Sequence, residues 1–257
     1  MTQHVVISDA GGVLRIRINR PEKKNALTRA MYESLAQAIE RADGDRAIRV
    51  VTISGTGDAF TSGNDLADFL DAPSPEAGKS TDRFLAAISQ ARKPLLAGVN
   101  GFAVGIGVTM LLHCDLVYAV EEATFQLPFV NLGLVPEAAS SLLLPRLIGH
   151  HRAAELFFLG DRFDARAAYR MGLVNVIKPR SSLESELAEL ANRLAAKPPE
   201  ALQLTKKLLK GDALEAAVSA RLAEEEVHFE RQLRSPEARE AMAAFLQKRK
   251  PDFSRIS

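Results

Sequence analysis

Apolar residues cluster on both sides of "DAGG" in "VVISDAGGVLRIRIN", which predicts two strands joined by a hairpin turn. The spacing then lengthens. In "TRAMYESLAQAIERADGD" apolar positions recur at helical intervals, with Thr28 placed as N-cap and Gly44 as the stop. "IRVVTISG" reads as a strand, "STDRFLAAISQARK" as a helix ended by Pro94, and "PLLAGVNG" as a further strand. A glycine-rich helix over "VGIGVTMLLHC" and a strand over "DLVYAVE" follow. This strand–strand–helix cadence predicts an α/β core. Residues 73–78, "PSPEAG", read as a surface loop between helices. Beyond Pro179 the pattern is helical throughout: "SSLESELAELANRLAAK", "PPEALQLTKKLLKGD", "ALEAAVSARLAEEEVHFERQL" and "SPEAREAMAAFLQKRK" are separated by Pro or Gly. The expected organisation is an α/β core over 1–195 and an all-helical part over 196–257, whose apolar stripes suit packing on a neighbour. No internal repeat is read in the residue pattern.

Composition narrows the partners. With 257 residues, 47% hydrophobic and 25% charged, the chain is an ordinary globular protein of one large domain, with or without an appendage. A net charge of +1 offers no whole-molecule field for nucleic acid or a membrane, so neither is an expected partner. Lys206, Lys207, Lys210 and the "QKRK" stretch read as solvated helix faces. Cys114 is the single cysteine, which excludes an internal disulfide and fits a reducing compartment. "MTQHVVISDAGG" has neither a basic n-region nor a long apolar run, and "LLAGVNGFAVGIGVTMLLHCD" is too interrupted to span a bilayer. The final "RIS" is no peroxisomal tripeptide, and a cytoplasmic protein is expected. The five histidines lack metal-ligand spacing, His150 and His151 read as a solvated turn, and no metal site is expected.

Glu137 stands out. It is the sole ionisable side chain in residues 123–145, inside "LPFVNLGLVPEAASSLLLP". One reading makes it a solvated acidic residue in the first turn of a helix over "AASSLLL". The other makes it a general base held in an apolar pocket, where an unpaired charge is costly. Two glycine turns bear on the choice. "AFTSGNDLADF" runs from a strand into a helix and presents backbone N–H groups suited to an anionic oxygen, or else is a tight turn with an Asp cap. "NGFAVGIGVTM" puts Gly105 and Gly107 in a first helical turn, at about 1 kcal/mol each relative to Ala, so either backbone approach or close helix packing must require them. It matches neither the dinucleotide fingerprint nor a Walker loop.

With "INRPEKKNALTRAMYESL", "ATFQLPFVNLGLVPEAASSLLLPRLIG", "GLVNVI" and "AMAAFLQKRK", these turns resemble the crotonase superfamily, the enoyl-CoA hydratase/isomerase family, over essentially the whole chain. The resemblance implies a crotonase-like spiral of ββα units with an all-helical C-terminal trimerisation region. It implies an acyl-CoA substrate, no cofactor beyond the coenzyme A that is part of that substrate, and a homotrimer or dimer of trimers. It implies an oxyanion hole from the backbone N–H groups of Asn64 and Ile106, each donor worth about 2.7–4 kcal/mol in comparable sites. Backbone near Lys24 and Ala26, and through Ser62, Gly63, Asp65 and Leu66, is implied to bind adenine and pantetheine. Phe245 and Lys248 are implied to reach a neighbouring subunit's coenzyme A.

The departures from the family's hydratases matter as much. Their two glutamates correspond here to Thr109 and Phe129, so the pair that activates water is absent. The remaining carboxylate, Glu137, resembles that of the peroxisomal-type Δ3,Δ2-enoyl-CoA isomerases, in which one glutamate moves the proton. The resemblance therefore implies an isomerase that shifts a 3-enoyl-CoA double bond to the 2-trans position. A hydratase or another crotonase-fold lyase or hydrolase is the first alternative, and a catalytically silent acyl-CoA-binding protein the second.

Overall fold

A hairpin of β1 (Val5–Ala10) and β2 (Val13–Ile18) opens the chain, turned by Gly11 and Gly12. The computed structural model describes residues 4–65, 67–68 and 79–256. Helix α1 (Arg29–Gly44) starts at Thr28, whose side chain accepts from the Met31 amide, and buries Met31, Tyr32, Leu35 and Ile39. The expected "PSPEAG" loop and Leu66 lie outside the described residues.

Thereafter the chain repeats one unit. Strands β3 (Val50–Gly55), β5 (Leu95–Val99) and β7 (Leu116–Val120) join β2 in a parallel array. Each is followed by a three-residue strand of a second sheet: β4 (Ala59–Thr61), β6 (Phe102–Val104) and β8 (Thr124–Gln126). These short strands are also parallel neighbours, β4 on β6 and β6 on β8. Helical segments complete the units: α2 (Lys79–Gln90), α3 (Ile106–Thr109), and α4 (Ser140–Ile148) with α5 (His150–Leu159). The sheets end on β9 (Phe163–Asp164), which adds antiparallel to β8 before helix α6 (Ala165–Arg170), and on β10 (Val176–Lys178), parallel to β7.

Four helices follow: α7 (Arg180–Ala195), α8 (Pro199–Lys210), α9 (Asp212–Leu233) and α10 (Pro236–Leu246). Helix α7 covers one face of the large sheet, where Leu187, Ala191 and Ala195 pack on Val13, Val50 and Leu96. No helix among the described residues is long and apolar enough to cross a membrane.

Three expectations need correction. The helix over "VGIGVTMLLHC" is strand β6 running into the single turn α3 and a 3₁₀ turn at Met110–His113. His150 and His151 are exposed but open helix α5 and do not lie in a turn. Lys206 is not solvated: it is 7% exposed, and its Nζ donates to the Lys93 carbonyl at 2.8 Å and to Asp115 Oδ2 at 2.6 Å. Lys210 also turns inward, donating to the Ser89 carbonyl at 3.0 Å. Helix α8 thus faces the core with lysines, because Asp115 and free carbonyls await them there. It presents Leu208 and Leu209, 82% and 81% exposed, to the outside.

Candidate active site

The three segments singled out in the sequence all leave the C-terminal ends of the adjacent parallel strands β4, β6 and β8. That end of a parallel sheet is where crevices for ligands form. Asn64 follows β4 by three residues and Ile106 follows β6 by two, so strand pairing alone brings the two turns side by side. Two glycines make this possible. Gly105 has φ +56, a conformation that favours glycine, and it starts α3. At Gly107 a Cβ would lie 2.7 Å from Thr61 Cγ2 and 3.0 Å from the Thr61 carbonyl, so α3 can sit on β4 only without a side chain there.

The Asn64 turn is fastened on both sides. Leu27 donates to the Gly63 carbonyl at 2.8 Å, and Asp65 donates to the Leu27 carbonyl at 2.9 Å. The Asp65 side chain caps the Ala67 amide at 3.0 Å and pairs with Arg20, so its carboxylate is held within the chain. Burial raises the Asp65 pKa, but the bond and charge of Arg20 outweigh it and hold the carboxyl below its usual range. Among the described residues, the amides of Asn64 and Ile106 donate to no intrachain acceptor. The turn is therefore both a capped tight turn and a source of unused N–H groups.

Glu137 is not a solvated residue of a helical first turn. Helix α4 begins at Ser140, and Glu137 is only 9% exposed. The helix start is displaced because Ala138 and Ala139 both adopt left-handed backbone, with φ 61 and 54. Thr109 Oγ1 donates to Glu137 Oε1 at 2.6 Å, joining the base of α3 to the carboxylate. Burial pushes the Glu137 pKa up to about 8, the Thr109 bond opposes this, and the charge of Glu225 adds to it. Phe129, the other position that the resemblance matches to a hydratase glutamate, is buried against Phe157 with ring centroids 6.4 Å apart.

Sequence reasoning missed three side chains here. Tyr32, on the buried stripe of α1, donates its hydroxyl to Asn64 Oδ1. Burial, then the charge of Glu137, pushes its phenol well above the usual range. His113 Nε2 lies 2.8 Å from the Ala138 carbonyl; burial pulls its pKa down to about 4, so the ring is neutral and carries its proton on Nε2 as donor. Glu225, on α9, accepts from the Ala139 and Ser141 amides at 2.6 and 3.0 Å. Tyr32 and Glu225 sit in helical patterns that read as core stripe and solvated acidic run, and only His113 carried a signal, as a polar residue in an apolar stretch.

The remaining sequence-derived residues fall into two places. Lys24 and Ala26 lie beside the Asn64 turn, where Ser62 donates to the Lys24 carbonyl at 3.0 Å and Arg20 to the Ala26 carbonyl at 3.1 Å. The Lys24 ammonium pairs with Asp58 at 2.8 Å. Buried Asn25 anchors this loop, donating to the carbonyls of Thr56 and Ala59 at 2.9 and 2.8 Å. Phe245, in the last turn of α10, and Lys248, just beyond it, are exposed. Among the described residues no cluster of His, Cys, Asp and Glu could hold a metal ion.

The profile of the enoyl-CoA hydratase/isomerase family matches residues 8–255. Rat enoyl-CoA delta isomerase 2 is 38% identical over 212 residues, covering 80% of this chain and 54% of the rat protein; the chain spans about half the length of that relative. The 2,3-dehydroadipyl-CoA hydratase of Escherichia coli is 37% identical over 251 residues, 97% of this chain and 98% of its own. Among solved structures, the enoyl-CoA hydratase/isomerase of Pseudoalteromonas atlantica superposes with a TM-score of 0.92 at 44% identity, covering 98% of this chain and all of its own.

Proposed function

The chain belongs to the enoyl-CoA hydratase/isomerase family and has its crotonase-like fold, and from that premise we propose that it is a Δ3,Δ2-enoyl-CoA isomerase with Glu137 as its single acid–base. One observation carries the reading: the Glu137 carboxylate, buried and tethered to Thr109, stands beside two turns with unused amides. In its ionised form Glu137 takes a proton from C2 of a 3-enoyl thioester. The electron pair moves into the conjugated system and onto the thioester oxygen, which the Asn64 and Ile106 amides receive. The protonated carboxyl then delivers the same proton to C4, leaving the double bond between C2 and C3. A pKa of about 8 serves both halves, since roughly a tenth of the carboxyl is ionised at pH 7 and the acid form remains a competent donor.

Lys24, Ala26, Ser62, Gly63 and Asp65 form the coenzyme A wall in this reading, and Phe245 and Lys248 extend it from a neighbouring protomer. No cofactor is needed beyond the coenzyme A of the substrate. A hydratase is the second reading, favoured by the full-length similarity to 2,3-dehydroadipyl-CoA hydratase. Against it stands the absence of a second carboxylate at Thr109 or Phe129. A paired assay with 3-enoyl-CoA and 2-enoyl-CoA substrates separates the two. The isomerase reading expects turnover of the first, little hydration of the second, and a loss of roughly 10²–10⁴ in kcat on Glu137→Gln with KM nearly unchanged. Near-native isomerisation by Glu137→Gln would remove Glu137 from the mechanism.

A further inference from the structure

We propose that Glu225, on the C-terminal helix α9, is a positioning residue that clamps the left-handed turn behind Glu137 and so aims the base; this rests on the reading of Glu137 as that base. The turn is unusual on its own terms. Two consecutive alanines at φ 61 and 54 each cost about 1–2 kcal/mol relative to ordinary helical backbone. A helix normally begins on an extended Ser, Thr, Asp or Asn whose side chain accepts from the first-turn amides. Ala139 in left-handed conformation offers neither the geometry nor the acceptor, and no side-chain cap bond is made. The amides of Ala139 and Ser141 are thereby left without a local backbone partner.

Glu225 supplies the missing acceptor from 86 residues away, taking the Ala139 amide at 2.6 Å. Its other oxygen takes both the Ser141 amide, at 3.0 Å, and the Ser141 hydroxyl. Arg221, one turn earlier on α9, donates to that same hydroxyl at 3.3 Å. From behind, His113 donates to the Ala138 carbonyl at 2.8 Å, and within the turn Ser140 donates to the Glu137 carbonyl at 3.1 Å. The turn is thus gripped from α9 and from the segment after α3, while Thr109 holds the carboxylate itself. Glu225 is 6% exposed, and burial raises its pKa despite these bonds. A Ser in extended conformation at position 139 would cap a helix more simply. What the buried carboxylate adds is a conformation that no local cap permits.

The charges around the pair are few. Thr109 and Tyr32 face Glu137. Arg221 on its own helix faces Glu225, neutral His113 backs the turn, and Asp82 on α2 is turned to Glu226 and Glu230. Glu225 therefore acts on Glu137 in two separable ways, through the turn and through its charge, which raises the Glu137 pKa.

The test measures kcat, KM and the pH dependence of kcat/KM with 3-hexenoyl-CoA for Glu225→Gln, Glu225→Ala, Ser141→Ala and Glu137→Gln. Positioning expects Glu225→Gln to lower kcat about tenfold and Glu225→Ala about 10², as for a misplacement near 1 Å, with KM changed less than about threefold. Removal of the charge should also move the acidic limb of kcat/KM to lower pH, a shift that loss of packing alone does not produce. Ser141→Ala, which deletes one donor and spares the fold, should show a smaller kcat loss in the same direction and carries the test if Glu225→Ala does not fold. The proposal is overturned if Glu225→Gln and Ser141→Ala keep wild-type kcat and limb while Glu137→Gln is inactive; the base assignment then survives alone. It is equally overturned if the Glu225 variants lose kcat and raise KM together with an unmoved limb. Activity in Glu137→Gln would remove both readings.

Discussion

Replacing Glu137 by Gln should change how stability depends on pH, and the effect can be read without any substrate. The carboxyl titrates near 4.5 when unfolded and at about 8 when folded. Between those values the unfolded chain gives up a proton that the native state keeps. Stability therefore falls as pH rises through this window, by 1.36 kcal/mol per unit, and levels off above pH 8. The full span is about 5 kcal/mol, and from pH 6 to pH 9 about 3 kcal/mol of it is traversed. Glutamine cannot titrate. It keeps an oxygen for Thr109 but leaves an amide N–H₂ to satisfy, a pH-independent cost of about 1–3 kcal/mol. The informative quantity is therefore the slope of the difference between the two proteins, in which titrating groups not coupled to Glu137 cancel. Urea unfolding at pH 6, 7, 8 and 9 supplies it, since the midpoint shifts at unchanged m report stability alone. Glu137→Gln should gain about 3 kcal/mol on the wild type between the ends of that range. Parallel pH profiles would refute the argument, because a carboxyl with an ordinary pKa is not buried as described.

Removing the hydroxyl in Thr109→Val deletes the bond that lowers the Glu137 pKa, so the acidic limb of kcat/KM should move to higher pH, and Thr109→Ser should restore it. Gly107→Ala drives a methyl to within 2.7 Å of Thr61 Cγ2 and should cost about 1–3 kcal/mol in urea unfolding, part of it recovered by adding Thr61→Ser. The outward leucines of α8 and exposed Phe245 support burial between protomers, so light scattering should report a trimer or hexamer, and Leu208→Glu with Leu209→Glu should dissociate it. A monomer at micromolar concentration would count against that assembly and against a neighbour's contribution to the coenzyme A site.

The long elements were legible because their periods are long. Helix α1, its Thr28 cap, the hairpin and the four final helices all follow from apolar spacing and Pro/Gly punctuation. The smaller sheet was hidden, since three-residue strands such as Phe102–Val104 are too short to show any alternation. Glu137 announced itself as the one charge in an apolar stretch, but its surroundings did not. A glycine at 138 or 139 would have signalled left-handed backbone; alanine signals helix, and so the start of α4 was misplaced. The lysines of α8 misled for the complementary reason: nothing local says that Asp115, 91 residues earlier, waits to pair with Lys206. Tyr32 and Glu225 act through contacts that exist only once the chain has closed on itself.

The clamp on the Glu137 turn also has a consequence in time. A chain is made from its N-terminus, and the amide of Ala139 leaves the site of synthesis 86 residues ahead of the carboxylate that receives it. At about 5–20 residues per second that interval is roughly 4–17 seconds. Throughout it the segments that carry Asn64 and Ile106 have already been made, while the amides of Ala139 and Ser141 lack the acceptor that Glu225 supplies and the turn has less reason to hold a strained shape. A growing polypeptide can therefore assemble the amide pair long before it owns an aimed carboxylate. If Glu225 aims the base as proposed, that aim arrives only with α9, and a product cut short before that helix is left with the pieces of the site and without their alignment.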